Sequence, residues 1–347
     1  MQPPVAARSG TRARRGALRL LVSAVVIVAL VRIVPWTLLS ESLRRVPLTT
    51  FALVLAGFLA CHALGVVKWR LVIGVAGARL PARAAVECYA AGLFSNLFLP
   101  TIVGGDVLRA LLAGRRSGRL EAAVLGGAAD RVLDVTALGA LALAASLAVG
   151  LGGTGAESSL LLVGCGGALV AAAAVVPLLV RTPLRRWPPR LRRRVARVLI
   201  ALRRQRRRPG VLLASFAGAC AMQGALALLN AVLGRALAIE ADLASWFFAW
   251  SLAKAAGLLP VSFNGIGVRD SAFAFLLVPR IDNAGISDAD RWARAIACSL
   301  VWQAVLIAGG LVAGAVWRAL RHGMPPGDRA ADRAPPPRAG SPVPQHV

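Results

Sequence analysis

Groups that carry out catalysis are scarce in this chain of 347 residues. It has three histidines and five cysteines, and no two of the cysteines form a close pair in the sequence. Neither a disulfide framework nor a metal site is indicated, and no cofactor is expected. The sequence also lacks a nucleophile elbow, a phosphate-binding loop and a dinucleotide-binding fingerprint. An enzymatic function therefore has little support from the residues.

Charged residues are scarce as well, at 16% of the chain, and the 15 acidic residues are outnumbered by 41 basic ones. Hydrophobic residues make up 57%, and the mean hydropathy is +0.68. Soluble domains do not have this composition. Apolar runs of about 20 residues, enough to cross a hydrocarbon core of about 30 Å, recur along the chain. The sequence therefore predicts an all-α polytopic membrane protein.

Six apolar runs are predicted to be full transmembrane helices, at residues 17–38, 48–67, 120–150, 158–180, 210–233 and 293–317. The first run is longer than the core of a secretory signal and has no evident cleavage site, so we expect it to be retained. Two further apolar stretches, 84–105 and 245–279, are interrupted by proline and glycine, which break helices.

Arginine-rich segments set the predicted orientation, because short basic loops stay in the cytoplasm. The basic N-terminus, 1–16, and the Arg-rich loop, 181–209, are placed there. The N-terminus precedes a membrane domain that spans 17–320, and the Arg-rich loop lies within this domain. A disordered Pro- and Arg-rich tail, 321–347, is predicted to follow it. Both termini are therefore expected in the cytoplasm, and the protein in the cytoplasmic membrane.

The flanks of the two broken stretches differ in charge. Both flanks of 84–105 are basic, whereas neither flank of 245–279 is net basic. We therefore expect two re-entrant elements that enter from opposite faces, with the first turning back between Asn96 and Gly105. Such an inverted-topology repeat surrounds a polar cavity. The alternative is that proline and glycine only kink two ordinary spans.

Each broken stretch passes from Leu-Pro through glycines to Asp and Arg. Asp106 and Arg109 share a face if their segment is helical, and amides freed near Gly104 and Gly105 could bind an anionic headgroup. An Asp cap beside an Arg of the cytoplasmic belt is the alternative. The candidate headgroup and cavity residues here are Asn96, Pro100, Gly104, Gly105, Asp106 and Arg109, then Pro260, Asn264, Gly265, Gly267, Arg269 and Asp270.

Asp130, Arg131 and Asp134 lie about ten residues into a predicted span, near the middle of the membrane. An ionised residue there costs about 2.5 to 3.5 kcal/mol, so we expect the three to face the cavity and to pair with each other, with Arg269 or with Lys254. A structural ion-pair brace and a proton or headgroup relay both remain open. Lys254 could alternatively contact a lipid phosphate, or extend to the interface.

The chain resembles the transmembrane region of lysylphosphatidylglycerol synthases, which also occurs alone in flippase-like membrane proteins. The resemblance covers roughly residues 17–320. It rests on the motifs at 92–100 and 104–109, on Asp130-Arg131, on Leu259-Pro260 and on 264–270. It implies a protein that moves a lipid between leaflets. Because only a short tail follows Arg318, synthase activity is not expected. Asp270 stands where the family usually has Glu, which keeps the charge and shortens its reach.

The expected partners are membrane lipids with phosphate-bearing headgroups. The net charge of +26 raises the question of nucleic acid, but the Arg-rich loop contains one aromatic residue and no recognisable nucleic-acid fold surrounds it. We instead expect Arg181–Arg208 to lie on the anionic inner leaflet. A homo-oligomer is left open. The predicted function is translocation of an anionic or glycosylated lipid, with a membrane-embedded transferase or an accessory scaffold of envelope synthesis as alternatives.

Overall fold

The computed structural model describes residues 36–98, 102–150, 207–257, 268–282 and 285–322. Within these ranges the chain is helical and has no strand. The nine α-helices of the described residues are α1 (Trp36–Arg45), α2 (Leu48–Ala76), α3 (Ala82–Ser95), α4 (Ile102–Ser117), α5 (Leu120–Gly150), α6 (Pro209–Ala236), α7 (Leu243–Ala256), α8 (Val268–Leu277) and α9 (Asp288–His322). A 3₁₀ turn, Val278–Arg280, follows α8.

Four of these helices are long and apolar enough to cross a membrane: Leu48–Ala76, Leu120–Ala148, Pro209–Ala236 and Asp288–Arg321. They confirm that four of the predicted runs form long helices. Large apolar side chains such as Leu53, Leu213 and Leu311 are more than half exposed on them. Exposed apolar surface on several long helices is expected where lipid, and not water, surrounds the protein.

Two predicted boundaries were wrong. The second span was predicted to end at residue 67, but α2 continues to Ala76 and ends where Gly77 adopts a left-handed conformation with φ of 114°. Glycine accepts this conformation without steric cost. The first span was predicted to end at residue 38, but α1 extends beyond it to Arg45. It ends just before Val46-Pro47, because a residue preceding proline disfavours the helical conformation.

The two broken stretches each form a pair of short helices, α3 with α4 and α7 with α8. Helices α3 and α7 have 14 residues each, which is about 21 Å of helix, and α8 has 10. Such lengths fall short of a hydrocarbon core of about 30 Å. The helices begin where the sequence supplies start signals: α3 follows Pro81, and the carboxylate of Asp242 accepts a hydrogen bond from the Ser245 amide to cap α7.

The packing of these helices repeats between the two halves of the chain. In the first half α3 packs against α9 and α4 against α5, while in the second half α7 packs against α5 and α8 against α9. Each short pair is therefore held between the same two long helices. Helices α2 and α6, which precede the short pairs, pack against each other. Leu97, just after α3, and Gly257, just after α7, line the same cavity.

Several predictions lie outside the described residues. These are the basic N-terminus 1–16, most of the first span 17–38, the span 158–180, the loop 181–209 up to residue 206, and the tail from residue 323.

Candidate functional site

A cluster of buried charges links helices α2, α4 and α5 at the centre of the bundle. Lys68 on α2 places its Nζ atom 2.7 Å from Oδ1 of Asp130 and 2.5 Å from Oδ1 of Asp134. The two aspartates lie one helical turn apart on α5, so one ammonium group can contact both. The Lys68 and Asp130 side chains are each only 3% exposed. Lys68 therefore neutralises two carboxylates that would otherwise repel each other away from water.

Arg109 on α4 forms the second bridge to α5. Its Nη2 atom lies 3.1 Å from Oδ1 of Asp106 and 3.4 Å from Oδ2 of Asp130. The prediction that Asp106 and Arg109 share a helical face is confirmed. The guanidinium also lies 4.8 Å from the ring centres of both Trp69 and Tyr89. Aromatic rings stabilise a cation through their quadrupole, and arginine is the cation best suited to stacking on them.

Arg131 completes this cluster from α5. Its Nε atom contacts Oδ2 of Asp106, and its Nη1 atom lies 3.9 Å from Oδ2 of Asp134. The first cluster thus combines three cations with three carboxylates, and its formal charge is zero. Buried charges are tolerated when they are paired in this way.

The second half carries a smaller polar group between α8 and α9. Both Nε and Nη2 of Arg269 donate to Oδ1 of Asp270, at 3.1 and 2.8 Å, and Nη2 also donates to Oε1 of Gln303 at 2.7 Å. The hydroxyl of Ser299 donates to the same oxygen of Asp270 at 2.7 Å. One ion pair is therefore supported by two neutral side chains from one face of α9.

Lys254 on α7 differs from the other cations of the site. Its Nζ atom donates to Oε1 of Gln223 on α6 at 2.8 Å and lies 5.2 Å from the ring centre of Trp250. Among the described residues no carboxylate forms a salt bridge with it. The partly buried ammonium group is therefore held by a neutral amide and an aromatic face, and its positive charge is not balanced.

A cavity of about 150 Å³ lies between these groups. Trp250 and Trp302 line it, and within the described ranges their buried indole N–H groups have no hydrogen-bond partner. His62 and Tyr89 form one part of the wall, where the His62 Nδ1 atom lies 3.2 Å from the Tyr89 hydroxyl. The charged lining residues are Lys68, Arg109, Asp130, Arg131, Asp134, Lys254 and Arg269. The prediction of a polar cavity bordered by both halves thus has a counterpart in the structure.

The glycines of the first motif have a different role from the one predicted. The turn was expected to extend from Asn96 to Gly105, but α4 begins at Ile102, so Gly104 and Gly105 are helical. The Gly105 amide donates to Oδ1 of Asn96 at 3.0 Å and is not free for an anion. A Cβ atom on Gly105 would lie only 2.3 Å from the Gly92 carbonyl oxygen. Gly105 therefore allows α3 and α4 to approach closely.

The predicted pairing of the mid-membrane aspartates was also wrong in part. Asp130 and Asp134 were expected to pair with Arg131, Arg269 or Lys254, but their closest cation is Lys68, which lies just past the predicted end of the second span. Helix α2 extends past the predicted end of the span and carries Lys68 into the bundle. The only sequence signal was its rarity, because it is one of two lysines in the chain.

The remaining predicted site residues divide into two groups. Arg269 and Asp270 lie at the start of α8, and Arg269 reaches the cavity wall. Five residues lie outside the described part of the chain: Pro100, Pro260, Asn264, Gly265 and Gly267.

The fold and the site together define an integral membrane protein, an all-helical bundle with a charged cavity between two pairs of short helices. The chain belongs to the family described as the lysylphosphatidylglycerol synthase transmembrane region, whose family model matches residues 16–314. The resemblance seen in the motifs is thereby confirmed. A comparison with curated proteins found no match. The family suggests a function related to membrane lipids.

Proposed function

We propose that this protein translocates an anionic or glycosylated lipid between the leaflets of the cytoplasmic membrane. The observation that carries the proposal is Lys254, whose charge borders the cavity without a carboxylate partner in the described residues. The other cations of the site are already paired, because Lys68, Arg109 and Arg131 face three aspartates and Arg269 faces Asp270. The cavity therefore has a net positive charge near α7.

An anionic headgroup supplies the negative charge that would balance Lys254. An unpaired cation inside a membrane protein is costly, so such residues mark ion and substrate pathways. A phosphate accepts hydrogen bonds from an ammonium group, and two residues that line the same cavity, Trp250 and Trp302, have indole N–H groups without a partner in the described residues. Headgroup hydroxyls or phosphate oxygens can therefore satisfy groups that the described residues leave unpaired.

The short helix pairs support the membrane topology proposed with this function. We propose that α3–α4 and α7–α8 are re-entrant, enter from opposite faces and form an inverted repeat among six full spans. The repeated packing of each pair between α5 and α9 supports this proposal. In transporters with such repeats the substrate binds near the midplane, between the broken helices.

The distribution of arginines supports the proposed orientation. Arg115 and Arg116 end α4, and Arg207 and Arg208 precede α6. Placing these ends and both termini in the cytoplasm satisfies the preference of basic loops for that side. In this orientation the segment Arg181–Arg208 lies against the anionic inner leaflet.

Scrambling of fluorescent phospholipids in proteoliposomes tests the translocation. Native protein, Lys254→Met and Lys254→Arg are reconstituted with fluorescent phosphatidylglycerol or phosphatidylcholine, and a membrane-impermeant reductant reports which headgroups reach the outer leaflet. We expect native protein to scramble phosphatidylglycerol, Lys254→Met to abolish this, and Lys254→Arg to retain part of it because the charge is kept.

Two outcomes would overturn the proposal. If native protein leaves phosphatidylglycerol on its original side, it is not a translocase of this anionic lipid. If Lys254→Met scrambles as well as native protein, the cavity cation is not used. The transferase alternative predicts a modified lipid detectable by mass spectrometry. It is less well supported because Asp106, Asp130 and Asp134 each contact a cation and are poorly placed to act as a base.

A further inference from the structure

A second polar feature lies at one end of the bundle, separate from the cavity. A groove of about 980 Å³ is formed by the last turns of α2, the α2–α3 and α4–α5 connections and the start of α6. None of the described residues lines both this groove and the cavity. Five exposed arginines line the groove, namely Arg70, Arg79, Arg119, Arg207 and Arg208.

The groove is strongly positive because no acidic residue is among its described lining. Two of the arginines are held by backbone carbonyls: Arg70 Nε donates to Leu80 O at 2.9 Å, and Arg119 Nη1 donates to Gly77 O at 3.4 Å. Both interactions fix a guanidinium without neutralising it. Guanidinium groups present parallel N–H donors that match the oxygens of a phosphate.

Helix termini add to this potential. Helices α3, α5 and α6 all begin beside the groove, immediately after Leu80-Pro81, Arg119 and Arg208. A helix N-terminus carries a partial positive charge and orphan N–H groups. Neither α3 nor α6 has a side-chain cap, so their first amides are not occupied by a carboxylate or hydroxyl. Helices α2 and α4 end nearby, but the Ile73 carbonyl of α2 already accepts bonds from Gly77 and Ala78.

One wall of the groove is apolar. Val67, Leu71 and Val75 lie four residues apart on α2 and form a stripe that leads to the arginines. Val67 is 56% exposed and Leu71 46%. An apolar stripe beside a ring of cations matches an amphiphile with an acyl chain and an anionic head. A soluble anion such as inorganic phosphate would make no contact with this apolar stripe.

We propose that the groove is a binding site for a phospholipid with an anionic, phosphate-bearing headgroup. The arginines and the helix N-termini bind the phosphate, and the α2 stripe packs against the first part of an acyl chain. The site does not require translocation, so it can exist whether or not the cavity transports lipid. The groove would hold a lipid at the end of the bundle that carries these five arginines.

Native mass spectrometry of the full chain in detergent tests the site. Phosphatidylglycerol, diacylglycerol and inorganic phosphate are titrated separately against native protein and against a triple variant, Arg79→Gln, Arg119→Gln and Arg208→Gln. We expect native protein to retain phosphatidylglycerol in preference to diacylglycerol. Each arginine near an anionic lipid contributes a roughly fivefold effect, so the triple variant should bind phosphatidylglycerol at the groove about 100-fold more weakly, while a second phosphatidylglycerol bound in the cavity is unaffected.

A matched triple variant controls for the loss of net charge. Arg44, Arg45 and Arg235 are exposed, and none of them lines the groove. Arg235 lies on the last turn of α6, at the opposite end of the helix from Arg208. Arg44→Gln, Arg45→Gln and Arg235→Gln together should leave phosphatidylglycerol binding unchanged. Leu71→Gln, which disrupts the apolar stripe, should weaken binding of phosphatidylglycerol.

Three results would overturn the proposal. The groove is not a lipid site if its triple variant binds phosphatidylglycerol as native protein does. Equal losses in both triple variants would indicate attraction to net charge alone. If inorganic phosphate binds the groove as tightly as phosphatidylglycerol and Leu71→Gln has no effect, the ligand is a soluble anion. Unchanged melting temperatures show that each variant remains folded, since all six arginines are exposed.

Discussion

Lys68 on α2 and Lys254 on α7 border the same cavity from the two halves of the chain, but their surroundings are different. Lys68 contacts two carboxylates within 2.7 Å. Lys254 donates to the neutral amide of Gln223. The first lysine is therefore part of a balanced ionic cluster, and the second retains an unbalanced charge. The comparison separates a charge that is paired between helices from the charge that the proposed function assigns to a ligand.

The difference originates in the long helices α5 and α9. Each carries two polar residues one turn apart that contact the charged groups of the site: α5 carries Asp130 and Asp134, and α9 carries Ser299 and Gln303. Carboxylates require cations, whereas a hydroxyl and an amide can support the Arg269–Asp270 pair without adding charge. The packing of the first half therefore depends more strongly on individual ion pairs, because each of its buried charges needs a partner.

The largest effect on stability is expected from Lys68→Met. It leaves Asp130 and Asp134 facing each other without their shared cation. Breaking a buried ion pair by removing one partner costs about 3 to 5 kcal/mol. We expect a large fall in the melting temperature of the detergent-solubilised protein, followed by tryptophan fluorescence.

A double variant, Lys68→Met with Asp134→Asn, sharpens this prediction. It removes one of the two carboxylates that have lost Lys68, while Asp130 keeps Arg109. Part of the lost stability should return. If Lys68→Met alone melts at the native temperature, the ionic cluster does not stabilise the first half and the contrast with Lys254 fails.

Gly105→Ala is expected to have the next largest effect. The new Cβ atom would lie within 2.3 Å of the Gly92 carbonyl oxygen, which is backbone and cannot move aside easily. Overpacking of this kind costs about 1 to 3 kcal/mol. Gly127→Ala on α5 is the matched control, because the nearest atom to its Cβ is 4.0 Å away. A thermal melt should show a loss only for Gly105→Ala, and equal melts would mean that α3 and α4 do not approach as closely as described.

Ser299→Ala tests the second half and should have a smaller effect. Asp270 loses one hydrogen bond but keeps both contacts from Arg269. A hydrogen bond to a charged group contributes about 1.5 to 3 kcal/mol, and the remaining arginine contacts should hold the loss near the lower value. The thermal melt of Ser299→Ala should therefore lie between those of native protein and Lys68→Met. A loss of stability as large as that of Lys68→Met would show that both halves depend equally on their polar contacts.

Much of the fold could be predicted from the sequence because hydrophobic length and helix breakers act locally. The long runs that became α2, α5, α6 and α9 were visible, and so were the two interrupted stretches. The spacing of Asp106 and Arg109 was sufficient to place them on one face. Helix ends were less predictable. Helix α2 continues past Lys68, and the residues that follow Lys68 include Trp69, Val72 and Ile73, which are buried in the bundle.

The partners within the site could not be predicted from local sequence. Lys68 and Asp134 are 66 residues apart, and their contact depends on how α2 packs against α5. The tight approach at Gly105 similarly depends on the Asn96 side chain turning back toward α4. Both features follow from tertiary packing, which a single sequence does not specify through any periodic pattern.

The smallest effect on stability, and the largest contrast with Lys68, is expected from Lys254→Met. The substitution removes one hydrogen bond to Gln223 and leaves no carboxylate unpaired among the described residues. Methionine has similar length and tolerates irregular surroundings. A hydrogen bond to a charged group contributes about 1.5 to 3 kcal/mol, but its loss is offset because the variant no longer holds an unbalanced charge in the bundle. We therefore expect a smaller fall in the melting temperature than for Ser299→Ala. A native-like melt together with lost scrambling would assign the Lys254 charge to the ligand, whereas a collapse as severe as that of Lys68→Met would make it a second structural brace.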